Sequence, residues 1–216
     1  MSDRARSEPV LIVSADDYGY APGYNRGILA AVEAGAVDAV SAMVGRGWCE
    51  PEPLLEAGVE IGIHLELPGP DPREQLERFE HAFGRPAAFI DGHHHCHALA
   101  ESAELVAGLA AEGGLAVRSV NARHRRLLRR RGVVTPDRLI GRLEPSEPAL
   151  PALLAEGAAL PEGVTEWMVH PGYPDPRPGS AYDAAREQDL DLLFRVGPDL
   201  AARARRLTHR EALAEL

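Results

Sequence analysis

The stretch VLIVSADD, residues 10–17, decides the fold class of this chain. A short, continuous apolar run bounded by polar residues is typical of a strand that is buried on both faces in a parallel sheet. Residues 18–24 contain two glycines and a proline, which predicts a loop, and residues 25–34 have the apolar spacing of a helix that ends at Gly35. The chain therefore begins as a strand followed by a helix.

The same alternation continues along the chain. Residues 136–161 carry scattered prolines and short leucine-rich pieces, and we interpret them as a short helical excursion over the site. Strands that alternate with helices about seven times predict one α/β domain with a parallel sheet, closed or doubly wound. Further strands are predicted at 36–44, 59–67, 87–90, 115–120 and 165–169, further helices at 51–57, 73–83, 100–112 and 182–194, and a last short strand and helix after 205.

The composition narrows the classes of function. A net charge of -10 argues against a general nucleic-acid binder, since phosphate contacts need a basic surface. Two cysteines, Cys49 and Cys96, form no disulfide framework, so a reduced, cytoplasmic protein is expected. Residues 1–9 are polar, which predicts a disordered tail without a signal peptide, and no apolar run approaches the ~18–20 residues of a membrane span. Neither nucleic acid nor membrane is expected as a partner. A homodimer is an expectation that no feature of the sequence supports.

The unusual polar residues share one position, at the end of a predicted strand. They are Asp16, Asp17, His64, the cluster DGHHHCH at 91–97, and His170. Packing does not call for such a density of histidine in the cluster, because every buried imidazole needs partners for its nitrogens. The carboxyl ends of parallel strands lie together on the face where α/β enzymes build their sites. We therefore expect these residues to converge.

These residue types suit metal-assisted hydrolysis. Two histidines and one carboxylate are a usual facial set for a divalent ion, with open positions for water and substrate. Such an ion polarises a carbonyl and lowers the pKa of a bound water towards ~7. The pair Asp16–Asp17 can supply one ligand and one base, and a further histidine can supply an acid for the leaving group.

Each residue also has an ordinary structural interpretation. Asp16–Asp17 can cap a turn, His64 can be a half-buried histidine, and His170 before Pro-Gly can hydrogen-bond within a turn. The cluster at 91–97 can be a surface tract or bind metal incidentally. Residues 124–132, with five arginines, form either a solvated face or an anion-binding loop. The shared location at strand ends favours the joint functional interpretation.

Taken together, the motifs resemble those of the YdjC-like carbohydrate deacetylases, which include the chitooligosaccharide deacetylases. They occur in the order of that family and cover most of the chain. The matching pieces are ADDYGYAPGYNRGI at 15–28, VSAMV at 40–44, GIHLEL at 62–67, DGHHHCH at 91–97, HPGY at 170–173 and SAYDAAREQDLDLL at 180–193.

The resemblance implies a TIM-barrel-like (β/α) fold over a single domain, residues 10–216. It also implies metal-dependent removal of the N-acetyl group from an amino sugar or a short N-acetylated oligosaccharide. One divalent ion, magnesium or zinc, is the expected cofactor. Two rivals stay open: another metal hydrolase on a related barrel, such as a phosphoesterase with two ions, and a non-catalytic sugar-binding protein.

Carried over by position, the resemblance implies that Asp17, His64 and His93 are the metal ligands. Asp16 would be the general base and His170 the acid.

Four more residues are expected to bind substrate or support the site. His95 and His97 would line the pocket or stand behind the ligands, Tyr173 ends the HPGY motif, and Arg118 follows a strand from which it could orient Asp16 or the substrate. In an extended segment His93, His95 and His97 would face one side and His94 the other, so the four cannot all bind one ion. The resemblance implies that His93 alone is a ligand from the cluster.

The chain departs from the pattern of the family at a few positions. Ser14 stands where the family has Asn, Phe89 where it often has His, and Cys96 where an aliphatic residue is usual. The segments between 67 and 89 and after 118 are shorter than in typical members. Those segments shape the substrate groove, so the identity and length of the sugar stay open.

Overall fold

The computed structural model describes residues 8–155 and 158–214. Within these residues, eight strands form one parallel sheet. They are β1 (Val10–Tyr18), β2 (Ala39–Ala42), β3 (Glu60–Leu65), β4 (Phe89–Gly92), β5 (Ala116–Val117), β6 (Arg138–Gly141), β7 (Val164–Val169) and β8 (Arg205–Arg206).

The sheet curls around β1, which is buried along its whole length. The strands run in the order β5-β4-β3-β2-β1-β7-β6, and β8 pairs with the first two residues of β1. Among the described residues no ladder joins β5 to β6, and the nearest link is a hydrogen bond from the Val117 amide to the Val134 carbonyl, 3.1 Å. The result is a TIM-barrel-like α/β fold that is open at this seam. The predicted fold class is confirmed.

Helices connect the parallel strands on the outside of the sheet, as crossovers require. They are α1 (Pro22–Glu33), α2 (Pro51–Ala57), α3 (Pro72–Phe83), α4 (Ala103–Gly113), α5 (Ala122–Arg130), α6 (Asp183–Arg203) and α7 (His209–Ala214). Helices α1, α2 and α3 begin with proline at the first turn, where the missing N–H has no partner to lose. Left-handed Gly58, Gly84 and Gly114 end α2, α3 and α4.

The two faces of β1 have different surroundings. Leu11, Val13 and Ala15 belong to the large apolar cluster between sheet and helices, which also contains Ile28 of α1. The opposite face carries Val10 and Ile12, which pack in a small cluster with Val164, Leu207 and Ala212. Farther along that inner face the side chains are polar. Apolar stabilisation therefore comes mainly from the outer layer, which leaves the curled interior free for charged groups.

Several predicted boundaries were wrong. The predicted loop at 18–24 is half helix, because α1 already begins at Pro22. The excursion at 136–161 holds strand β6 and, among its described residues, only a short 3-10 turn at Ala152–Leu154. The strand at 115–120 is only two residues long, and α6 runs to Arg203. Of the predicted tail at 1–9, residues 1–7 lie outside the described residues.

Candidate metal and catalytic site

Asp16 and Asp17 lie at the carboxyl end of β1, and both side chains are buried. Neighbouring residues of a regular strand point to opposite faces of the sheet. Here the register with β2 shifts after Ala15, and Asp17 has a φ of 72°, in the left-handed region. A non-glycine residue rarely adopts this conformation. The irregularity brings both carboxylates to one site.

Asp17 lies against two histidines from neighbouring strands. Its Oδ1 is 3.2 Å from Nε2 of His64, at the end of β3, and 3.0 Å from Nδ1 of His93, which follows β4. Ligand atoms ~2.1 Å from one ion lie roughly 3 Å from each other, so these spacings fit a divalent cation. The three donor atoms lie within 4.8 Å of one another. The residues present therefore suit the ion that the sequence pattern predicts.

Two further residues orient this donor set. Nδ1 of His64 lies 2.8 Å from Oδ1 of Asp91, which turns Nε2 towards Asp17. A carboxylate behind a histidine ligand commonly fixes the ring in this way. Arg186 of α6 binds the other oxygen of Asp17, and its guanidinium lies over the Tyr24 ring at 3.7 Å. Burial raises the pKa of Asp17, but the Arg186 cation and both histidines outweigh it, and the pKa lies well below its usual range.

Arg118, which follows β5, forms a bidentate ion pair with Asp16. Its Nη1 and Nη2 donate to the two oxygens of Asp16 at 2.6 and 2.8 Å. Burial raises the pKa of Asp16, yet Arg118 outweighs this effect and the pKa falls to about 2. Asp16 is thus an ionised hydrogen-bond acceptor held in one orientation.

His170 follows β7 on the opposite side of Asp16. Its Nε2 lies 4.0 Å from Oδ2 of Asp16, and its backbone N–H donates to Asp189 of α6 at 3.1 Å. Burial is the main cause that lowers the pKa of this imidazole. Its Nδ1 is buried and has no hydrogen-bond partner among the described residues. The ring is fixed by the fold and available to a ligand.

The histidine cluster is not extended, so the predicted alternation of its side chains was wrong. Residues His93–Ala98 form a 3-10 turn in which His94 and His95 have φ values of 50° and 56°. His97 turns inward, is fully buried and hydrogen-bonds the Arg118 carbonyl through Nε2 at 3.0 Å. His95 remains beside the site, where burial lowers its pKa to about 4. The turn separates the histidines into different roles.

These groups line a cavity of about 350 Å³. Its far wall follows β6 and α6, and Arg142 there is buried against Asp189 at 3.0 Å. Tyr173 is not part of the lining, and its backbone N–H is bound to the Gly23 carbonyl. The lining is Asp16, Asp17, His64, Gly92, His93, His94, His95, Arg142, Leu143, Glu144, Met168, His170, Ser180, Tyr182 and Arg186.

Of the predicted site residues, the structure thus brings Asp16, Asp17, His64, His93, His95 and His170 to one cavity. Arg118 and His97 lie directly behind it, and Tyr173 lies apart. Sequence reasoning missed Asp91 as the partner of His64, although it opens the histidine motif. It also missed Arg142 and Arg186. Arg186 lies within the motif at 180–193, but nothing in its local spacing indicates that it reaches Asp17.

A sequence profile described as YdjC-like protein matches residues 10–74 and 71–203 of the chain. The chain belongs to the YdjC-like family. A chitooligosaccharide deacetylase of Enterobacter sp. (strain 638) is 31% identical over 86% of this YdjC-like chain and 91% of its own length. A chitooligosaccharide deacetylase of Serratia marcescens is 29% identical, and the match spans 51% of this chain and 59% of the Serratia protein.

A solved structure supports the fold of this YdjC-like chain. It is a protein of Enterococcus faecalis V583, named for a proposed cleavage of cellobiose phosphate. It superposes with a TM-score of 0.78 at 21% identity and covers 95% of this chain and 99% of the other. At this identity the likeness establishes the fold alone. Within the described residues no helix has the length and apolar character needed to cross a membrane.

Proposed function

We propose that this YdjC-like protein is a metal-dependent carbohydrate N-deacetylase that removes acetate from an N-acetylated amino sugar. One observation carries the proposal. The buried donor set Asp17, His64 and His93 adjoins an ionised Asp16 and a fixed His170 in a single cavity. The chitooligosaccharide deacetylases among the relatives support the substrate class.

Asp17, His64 and His93 would hold one divalent ion, magnesium or zinc. When bound, such an ion acidifies water and polarises an amide carbonyl, which suits a weak base such as Asp16. The chain itself contributes a fixed donor set in which Asp17 and His64 are buried. Asp91 holds His64 from behind, and Arg186 occupies the oxygen of Asp17 that faces away from the two histidines.

Asp16 accepts a proton from the attacking water, because it is ionised and Arg118 fixes its orientation. His170 delivers a proton to the departing amine from the other side of the cavity. Its Nε2 lies 4.0 Å from Oδ2 of Asp16, so a proton on Asp16 has a short path to the imidazole. The two groups together hold and return the proton that amide hydrolysis needs.

The cavity volume supports a small substrate. About 350 Å³ is at the lower end of the range for ligand pockets, which suits one N-acetylated unit of a short oligosaccharide. The wall formed by Arg142, Ser180 and Tyr182 offers hydrogen-bonding groups for sugar hydroxyls.

The test measures acetate release from N-acetylglucosamine and from short N-acetylated oligosaccharides. The protein is stripped with a chelator and then reloaded with magnesium or zinc. We expect activity to disappear with the ion and to return on reloading. Asp16→Asn and His93→Ala should both abolish turnover, whereas His81→Ala, at an exposed histidine of α3, should not. Full activity in both site variants would overturn the proposal.

A second candidate is a two-ion phosphoesterase. Its support is a second group of donors, Asp16, His64 and Asp91, within 4.8 Å of one another. Arg118 already contacts Asp16 and Asp91, however, and a buried cation there opposes a second metal ion. Metal analysis separates the two proposals, since one ion per chain favours the deacetylase. Sugar binding without any turnover would instead indicate a non-catalytic binding protein.

A further inference from the structure

A row of buried charged groups runs from Asp16 down the inside of the curled sheet. It continues through Arg118 and Glu166 to His209, the first residue of α7, and ends at Glu60 at the start of β3. Arg118, Glu166 and His209 are each fully buried. The catalytic proposal uses only the first two members of this row.

The contacts along the row are continuous. Nε of Arg118 donates to Oε1 of Glu166 at 2.8 Å. The same oxygen lies 3.3 Å from Nε2 of His209, and Nδ1 of His209 lies 3.0 Å from Oε2 of Glu60. Each of the three inner members, Arg118, Glu166 and His209, therefore has an opposite charge on both sides.

The row spans the depth of the sheet. Glu166 pairs in register with Ile12, four residues before Asp16 along β1. At ~3.3 Å per residue, the backbone of Glu166 therefore lies about 13 Å along the strand direction from that of Asp16, and the Arg118 side chain bridges the two carboxylates. His209 lies farther down, where its ring stacks on Phe89 with centroids 3.9 Å apart. A helix at the amino end of the sheet is thus connected to the site at the carboxyl end.

Arg118 is the member through which this connection acts. Its Nη1 and Nη2 bind both oxygens of Asp16, Nη2 also reaches Ser14 at 3.3 Å, and Nη1 lies 2.9 Å from Asp91. Glu166 takes the remaining donor, Nε. A guanidinium is planar, so fixing the direction of Nε–H also fixes the direction of the fork that grips Asp16.

Stabilisation of the fold does not by itself explain a row of buried charged residues. Buried ion pairs lose so much hydration that apolar residues of similar volume are often as stabilising or more. The positions around the row are apolar, with Val10, Ile12 and Val164 beside it on the inner face. Apolar side chains at these positions would extend the small apolar cluster, yet the residues here are charged.

We propose that Glu166 and His209 are positioning residues for Asp16, acting through Arg118. The proposal rests on the proposed function, in which Asp16 is the base. Glu166 anchors Nε of Arg118, and His209 keeps Glu166 ionised and in place. Burial lowers the pKa of His209, but Glu166 and Glu60 outweigh it and raise the pKa to about 9, which is consistent with a cation at this position.

The test compares Glu166→Gln and His209→Gln, which remove charge but keep hydrogen-bonding groups of similar size. Both are assayed for acetate release at saturating divalent ion. We expect kcat to fall roughly 10-fold in each, with KM unchanged, as is usual when a residue that supports a site group is lost. The double variant should fall no further than either single variant, because all act on Arg118. An unchanged kcat, or a change confined to KM, would overturn the proposal.

Arg206→Gln is the matched control. Arg206 forms a half-buried ion pair with Asp38 at 2.8 Å, also at the amino end of the sheet, and Asp16, Asp91 and Glu166 are the ion-pair partners of Arg118 instead. It should lower the melting temperature and leave kcat at the wild-type value. If Arg206→Gln lowers kcat as much as His209→Gln, the effect is structural and the proposal fails. Should either single variant not fold, the double variant leaves no unpaired charge between Glu166 and His209 and takes its place.

A measurement without turnover distinguishes this proposal from the proposed function. The Nε–H of Arg118 gives an NMR signal whose shift and exchange rate report its hydrogen bond to Glu166. We expect His209→Gln to shift the signal or speed its exchange, and Arg206→Gln to leave both unchanged. This result holds even if the protein acts on another substrate. An unperturbed Arg118 signal in His209→Gln overturns the positioning role, whatever reaction the site performs.

Discussion

The two ends of the curled sheet contain the same types of charged and polar residue, but these residues have different partners at each end. At the amino end, His209 lies between Glu60 and Glu166, and Arg206 is paired with Asp38. At the carboxyl end, buried nitrogens of other side chains have no hydrogen-bond partner within residues 8–155 and 158–214. These are Nδ1 of His95, Nδ1 of His170, and Nε and Nη1 of Arg186. At the amino end Nε2 of His209 also makes no hydrogen bond within these residues, although it lies 3.3 Å from Oε1 of Glu166.

The difference also appears in the pKa values of three histidines, although a fourth, His64, beside Asp91 and Asp17 at the carboxyl end, has a raised pKa like that of His209. Burial lowers the pKa of His209, but its carboxylates prevail and raise it to about 9. Burial prevails at His95, whose pKa falls to about 4, and at His170, whose pKa is lowered. Buried polar atoms without partners cost free energy unless a ligand satisfies them. The charged groups at the amino end are therefore matched mainly by partners within the protein, whereas those around the cavity leave nitrogens that a ligand can satisfy.

The largest difference between the two ends is expected when a carboxylate is replaced by an amide at each of them. Asp16→Asn should lower kcat by ~10²–10⁴-fold, because the proposed proton acceptor is lost. Asp38→Asn, at the amino end, should leave kcat unchanged. Acetate release and thermal unfolding of both variants provide the measurement. A catalytic loss in Asp38→Asn equal to that in Asp16→Asn would contradict the division between the two ends.

The second prediction concerns stability against pH at the amino end. The pKa of His209 is about 9 in the folded protein against 6.5 as its ordinary value, so its contribution is complete below pH ~6.5 and is lost as the pH rises through about 9. We expect the free energy of unfolding to fall by on the order of 3 kcal/mol across this interval. The chain contains no lysine, so few other side chains titrate there.

Denaturant unfolding at several pH values measures this loss. His209→Gln serves as the control, and its stability should fall less over the same interval than that of the wild type, since His64, whose pKa is also raised, is present in both proteins. A wild-type curve as flat as that of the variant would show that His209 is not held as a cation.

The third prediction concerns the close packing between α1 and the turn that carries His170. A Cβ at Gly27 would lie 2.3 Å from the Cα of Gly172, so Gly27→Ala must displace that backbone. Overpacking of this kind costs about 1–3 kcal/mol, and we expect kcat to fall with stability. Gly108→Ala is the control, since its Cβ would meet nothing within 4 Å. It should stabilise α4 by about 0.5–1 kcal/mol.

The smallest effect is expected on the outer surface. Arg73 and Glu112 form an exposed ion pair at 2.9 Å. Such pairs contribute about 0–1 kcal/mol and are screened by salt. Arg73→Gln should therefore leave both kcat and the free energy of unfolding near their wild-type values. A loss comparable to that of His209→Gln would mean that burial does not determine how much a charged side chain contributes to the free energy of unfolding.

The sequence was informative where an apolar run meets polar residues. Asp16, His64 and His170 were placed at strand ends from the run lengths alone, and all three line one cavity. Such runs are readable because a strand in the middle of a parallel sheet is buried on both faces. Strand β6 escaped detection because its four residues are only half-buried and begin with an arginine.

Two further features could not be predicted from the sequence, for different reasons. The turn at His94 and His95 requires left-handed backbone at residues that rarely adopt it, so local propensity predicts the opposite conformation. The partnership of Arg118 with Glu166 joins residues 48 positions apart, and charge patterns along the chain carry no information about such pairs. Only the curvature of the sheet brings them together.

The open seam between β5 and β6 has a consequence for how substrate preference could change in such a scaffold. The segment after β6 supplies Arg142, Leu143 and Glu144 to the cavity, yet it follows the last strand of the ladder. Its length and composition can therefore be exchanged without breaking a pair of central strands. Libraries that vary residues 142–155 would sample new substrate preferences while the proposed ion-binding and proton-transfer groups, at the ends of β1, β3, β4 and β7, remain in place.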